Sequence, residues 1–169
     1  MFKNIFAAVA AVAMAVTPAA ARIDAGTVAL VNAVDASDID VRIDSSFCVQ
    51  NPKVYGVYRQ RGLQRQLILC PGDTVDAGDH DTVRHEVAHA IQHCINAARG
   101  TQIDTPIVND VKDLMSFALP VLGQKHIDHI QKVYPRKHWL VEIEANMMAQ
   151  VFTASEIQKM FEKSCLFNE

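Results

Sequence analysis

The stretch Thr82-Val83-Arg84-His85-Glu86-Val87-Ala88-His89-Ala90 contains H-E-x-x-H within a run that reads as helix. Residues four apart on a helix share one face, so His85 and His89 can both turn a ring nitrogen toward a single metal ion. Glu86 follows His85 directly and sits at the edge of that face. There it reaches water on the metal rather than the metal itself. For a chain with this His and Glu content a chance H-E-x-x-H is expected on the order of 0.01 times. A helix that merely exposes two imidazoles and a carboxylate is therefore the weaker reading.

Zinc that keeps one position open for water needs a third protein ligand. A histidine ten residues after the first would mark a metzincin, but Ile95 stands there, and Gln92 fills the companion glycine position. E-x-x-H occurs once only, which excludes a di-iron carboxylate bundle. No C-x₂-C pair supports a cysteine-type zinc site. A glutamate from a later helix remains. The segment His138-Trp139-Leu140-Val141-Glu142-Ile143-Glu144-Ala145-Asn146 offers two, Glu142 and Glu144. Two residues along a helix turn it by ~200°, so only one of them can face the metal.

With H-E-x-x-H followed by E-x-x-x-N, the chain resembles the gluzincins, the metallopeptidase group that includes thermolysin and the membrane CAAX-prenyl endopeptidases. The surrounding text also looks like small exported and phage-type metallopeptidases. The likeness covers residues 55–152. It implies an α+β fold with a minimal zincin-like core: a small β-sheet or hairpin packed on an active-site helix and a glutamate helix, with further C-terminal helices. It also implies one Zn²⁺ per chain, held by His85, His89 and Glu142. In the family pattern an Asp four residues after the glutamate holds a zinc-bound His. Asn146 stands at that position, able to accept an imidazole N–H but without charge. Glu144 then becomes a solvent-facing or capping carboxylate.

Such a centre acidifies water and polarises a carbonyl, and Glu86 serves as the general base that hydrolyses a peptide bond. The implied partner is a peptide or protein substrate. Tyr134 and His138 are candidate donors to the developing oxyanion, with Tyr55 and His126 behind them. A strand at 54–58 or 66–70 can offer its edge to an extended peptide. The alternative function is a non-catalytic zinc-binding or interaction module that retains the fold. Glu86 separates the two, because a structural site closes its fourth position and needs no base. His93 extends the His85–His89 stripe by a turn and reads as a polar cleft residue. Asp73, Asp76, Asp79 and Asp81 read as turn and cap residues, lacking the glycine and terminal Glu of a Ca²⁺ loop.

These groups must be positioned by a short β-region followed by helices. Residues 29–34 read as helical and 39–43 alternate as a half-buried strand. The runs 54–58 and 66–70 form a hairpin pattern with a longer loop containing Gly62. A helix is expected from Asp79 or Asp81 to Arg99, stopped by Gly100. Others span 108–119 (ended by Pro120), 123–134 (closed by Pro135) and 137–152. Ser155 caps a last helix over 156–166. Ile127, Ile130 and Val133 form a packing stripe.

Residues 1–21 have the layout of a secretory signal peptide: Lys3, a 12-residue apolar run over 5–16, Pro18, and Ala19-Ala20-Ala21 before the cut. The run is too short for the ~18–20 residues that span a bilayer. The mature chain, 22–169, is one domain on the usual length prior. It carries no stable membrane anchor, and export to the periplasm or the medium follows. The whole chain has 19 acidic against 16 basic residues, with no basic excess for nucleic acid. Four cysteines in an exported chain read as two disulfides. Cys48–Cys70 and Cys94–Cys165 are favoured because each joins segments expected to be neighbours. Oligomeric state is not encoded in any feature of the chain.

Overall fold

A computed structural model describes residues 24–62, 64–70, 77–102 and 104–166, with the backbone alone over 77–80. Residues 1–21, read from the sequence as a signal peptide, and Asp73 and Asp76 lie outside the described residues. The class is α+β. Among the described residues there are seven α-helices and three strands: α1 (Ala25–Asp35), β1 (Ile39–Ile43), α2 (Ser45–Gln50), β2 (Gly56–Arg61), β3 (Gln64–Leu69), α3 (Ala77–Arg99), α4 (Val111–Leu122), α5 (Gln124–Val133), α6 (Trp139–Val151) and α7 (Ala154–Phe161). None of these helices is long and apolar enough to cross a membrane.

The sheet has the order β1-β3-β2. β3 runs parallel to β1 and antiparallel to β2, so β3 is central and β2 keeps a free edge. The hairpin is tighter than the sequence suggests. Its strands continue through the polar stretch until Arg61 pairs with Gln64. Gly62, at φ +61°, supplies the left-handed residue that a two-residue turn requires.

α3 runs through the middle of the molecule. Val83, Val87, Ala88, Ala90 and Ile91 pack with Leu30, Val34, Ile39, Leu67 and the α6–α7 residues Ala145, Met148, Ile157 and Phe161. A second cluster joins Ala118, Ile127 and Ile130 to Ile143. α6 is thus wedged between two cores. Ala145 and Met148 face α3, and Ile143 faces α4 and α5. That wedge fixes the rotation of α6 about its axis, and with it the direction of Glu142.

Several boundaries differ from the sequence reading. α3 starts at Ala77, so Asp81 lies inside it and pairs with Arg84 instead of capping. α4 starts three residues late, because Asp110 caps it while the Ile107 and Val108 N–H groups are taken by Glu144. It also passes through Pro120, and Leu122 then packs on the second core. Thr153, not Ser155, caps α7, in a capping box with Glu156. α7 ends at Phe161 and gives way to a π-helical turn, Glu162–Leu166. Val133 is 57% exposed. It sits about 120° around α5 from Ile127, whereas Tyr134 is only about 20° off that line, and Tyr134 packs against the second core.

Both disulfides form as expected, Cys48–Cys70 and Cys94–Cys165. The second ties α3 to the π-helical turn Glu162–Leu166 across 71 residues. Replacing Cys94 and Cys165 together by Ala is expected to lower unfolding free energy by about 2–4 kcal/mol. Chemical denaturation measures it, and an unchanged midpoint would contradict the proposed strength of this staple.

Candidate metal centre

α3 presents His85 and His89 one turn apart, and α6 brings Glu142 across the gap. The His85 and His89 Nε2 atoms are 3.1 Å apart. Glu142 Oε2 lies 3.4 Å from the first and 3.6 Å from the second. Four ligands at zinc–nitrogen and zinc–oxygen distances of ~2.0–2.1 Å place neighbouring ligand atoms roughly 3.3–3.4 Å apart. The three atoms therefore already occupy three corners of a tetrahedron of zinc size. Glu142 Oε2 is buried and has no hydrogen-bond partner. A buried carboxylate oxygen left so is costly, and a cation among the three atoms removes that cost. Among the described residues this is the one group of three or more His, Cys, Asp or Glu side chains able to hold a metal.

The electrostatics point the same way. Burial pushes the His89 ring toward its neutral form. The Glu142 and Glu86 carboxylates outweigh it and hold the imidazolium up to about 9. Burial likewise opposes ionisation of Glu142, but the two imidazoles bring its carboxyl down to about 2. Without metal, the cluster holds a proton where a cation would sit.

Glu86 is buried, and its Oε2 accepts the Tyr58 N–H from β2 at 2.6 Å. This contact needs Gly56. A Cβ there would meet the Thr82 methyl at 2.7 Å and Glu86 Cγ at 2.9 Å, so β2 lies against α3 only because residue 56 has no side chain. The cleft has two lobes that share Val54, Gly56, His85, Glu86 and Tyr134, with volumes of about 390 and 620 Å³. Tyr58, His93, Asp104 and His138 line the first. Lys53, Tyr55, His126 and His129 line the second.

The four sequence-derived residues, His85, Glu86, His89 and Glu142, are thus brought to one place. No family model, curated protein or solved structure matches the chain. The site must therefore be read from its own geometry.

Two expectations are corrected. Glu144 is neither solvent-facing nor a cap: it is 1% exposed and accepts hydrogen bonds from Gln92 Nε2, the Ile107 N–H and the Val108 N–H. Asn146 does not hold a ligand histidine. Its Oδ1 meets His126 Nε2 at 3.1 Å and its Nδ2 donates to the Glu142 carbonyl, which secures α5 against α6. The role falls instead to Gln92, whose Oε1 lies 2.8 Å from His89 Nδ1. Sequence reasoning passed over Gln92, although it stands three residues after His89 and shares its face. Of the candidate oxyanion donors, Tyr134 alone borders both lobes; His138 borders the first, and Tyr55 and His126 border the second. His93 lines the cleft, edge-on to Tyr58.

The raised His89 and the lowered Glu142 set a pH signature. Stability from His89 is complete below about 6.5 and is lost as pH rises through about 9. That from Glu142 is complete above about 4.5 and is lost as pH falls through about 2. Chelator-treated protein should therefore melt at its highest temperature between pH 4.5 and 6.5, with Tm falling toward pH 9. Since metal must displace the His89 proton, zinc affinity should rise over the same alkaline range. A scanning-calorimetry series with and without zinc reads both, and a flat metal-free profile from pH 6.5 to 9 would contradict the coupling.

Proposed function

We propose that this protein is an exported zinc metallopeptidase with a zincin-like core. The observation that carries the reading is the convergence of His85, His89 and Glu142 beside the Glu86 carboxylate, at the junction of two open lobes. Two imidazoles and one carboxylate form a nitrogen- and oxygen-donor set suited to Zn²⁺ with an open fourth position. Bound there, zinc would supply Lewis acidity, acidifying water and polarising a substrate carbonyl.

The chain's own groups supply the rest. The Tyr58 N–H holds Glu86 Oε2, which leaves Oε1 to take a proton from attacking water and pass it to the leaving amine. Burial, with the Glu142 and Glu86 carboxylates, pushes the Tyr134 phenol up to about 12, so it stays a donor at neutral pH. Its place between the lobes suits a hydrogen bond to the carbonyl oxygen as charge develops.

The free edge of β2 suits an extended peptide. Cys70 N donates to the Tyr55 carbonyl, which puts Tyr55, Val57 and Arg59 in the set facing β3. Gly56, Tyr58 and Gln60 then turn their backbone groups away from β3; the Tyr58 N–H is taken by Glu86 Oε2, which leaves the Gly56 and Gln60 backbone groups for a peptide. β3, being central, has no edge to offer. Two disulfides and the leader-like segment 1–21 support export.

A non-catalytic zinc module would close its fourth position with a protein ligand and would need no base. Among the described residues three ligands converge and a buried glutamate stands beside them. Glu86→Gln keeps the shape of the base and removes its proton-accepting charge. The variant should bind zinc like wild type and cleave a peptide library at least ~100-fold more slowly. Equal cleavage by the variant would overturn the mechanism.

A further inference from the structure

The Gln92 side chain is held in one orientation. Its Nε2 has two acceptors, the Val141 carbonyl at 3.0 Å and Glu144 Oε2 at 2.8 Å. Both amide hydrogens are thus used on the α6 side, and Oε1 must face His89 Nδ1, 2.8 Å away. An amide oxygen only accepts, so Nδ1 must carry the hydrogen. In the neutral ring the lone pair is then on Nε2, the atom facing His85 and Glu142. Were the amide turned over, its oxygen would face the Glu144 carboxylate and the Val141 carbonyl. Three acceptors would meet without a hydrogen between them, inside a region where Gln92 and Glu144 are each 1% exposed. Glu144 is itself held by the backbone N–H groups of Ile107 and Val108 at 2.7 and 2.9 Å. These belong to the loop after α3, whose Asp104 borders the cleft. Asn96 and Arg99 fasten the same loop through the Thr105 and Ile107 carbonyls.

We propose that Glu144, acting through Gln92, is a positioning residue that fixes which nitrogen of His89 faces the metal. The same carboxylate ties that choice to the loop walling the cleft. Loop placement and ligand readiness thus share one buried anchor. The proposal rests on the metal-centre reading and is separable from the peptidase reading, since its readouts are zinc affinity and ring tautomer rather than hydrolysis.

The test is a double-mutant cycle on zinc affinity, measured by chelator competition. It is joined to ¹⁵N spectra of the His89 ring in metal-free protein in alkaline buffer, with the ring neutral. Gln92→Met removes the acceptor and should weaken zinc binding by about 10-fold or more, the usual cost of losing such a partner. It should also release the ring from the Nδ1–H form. Glu144→Gln loosens the amide and should weaken zinc by a smaller factor. In the Gln92→Met background Glu144→Gln should cost nothing further, because its path to the metal is already cut. A Glu144→Gln loss that persists in full in that background would overturn the proposal. So would a Gln92→Met protein with wild-type affinity and an unchanged ring. If Glu144→Gln does not fold, an unchanged His89 ring in Gln92→Met still overturns the proposal, and Glu144→Asp, which shortens the carboxylate's reach to Gln92, takes its place in the cycle. A wild type that binds zinc yet cleaves no peptide counts against the peptidase reading and leaves this cycle intact.

Discussion

Three acceptor atoms from two helices, held within 3.6 Å of one another and mostly out of water, are the constraint around which the protein is built. No arrangement of protons satisfies two facing imidazole nitrogens and a carboxylate as fully as a divalent cation does. The fold therefore has to press α3 against α6 although Glu142 Oε2 gains no hydrogen-bond partner there. The apolar contacts of Val87, Ile91, Ala145 and Met148 supply the pressure. Arg84 adds a fixed point by donating to the Ala149 carbonyl near the end of α6, where a cation also complements the helix dipole.

Because α3 runs through the core, the polar groups it buries must all be partnered. Glu86 takes the Tyr58 amide, Gln92 links His89 to Glu144, and Asn96 holds the Thr105 carbonyl. Each bond fastens a different wall of the cleft to the same helix: the β2 edge, α6, and the loop that follows α3. A single buried helix thus carries two candidate metal ligands and the proposed base, and also anchors the walls of the cleft. Cys94 adds a covalent tie from its far side to the Glu162–Leu166 turn that follows α7.

Much of the site was legible in the sequence because its signals are local. His85, Glu86 and His89 fall in one helical turn, whereas the choice of Glu142 over Glu144 came from the gluzincin resemblance, since helix geometry said only that one of the two could face the metal. Both disulfides, the central helix and its Gly100 stop could likewise be read from patterning and punctuation. What escaped depends on tertiary burial. Nothing local distinguishes a solvent-facing Glu144 from one that accepts three hydrogen bonds from other elements. Asn146 was misplaced because a family register fixes a residue's position but not its neighbour, and here the neighbour is His126 on α5. α2 is only six residues long and buries no side chain fully, so it left no periodic trace. Pro120 was read as a stop, yet α4 gains packing by continuing to Leu122. The Thr153–Glu156 capping box was present in the sequence and was simply outranked by Ser155.

The central claim is that His85, His89 and Glu142 form one three-ligand metal site. Zinc content per chain, measured on the oxidised mature protein after loading and desalting, with Glu142→Ala beside wild type, tests it most directly. The expected result is one zinc per chain in wild type and none retained in the variant. No zinc in wild type, or full retention without the Glu142 carboxylate, would contradict it.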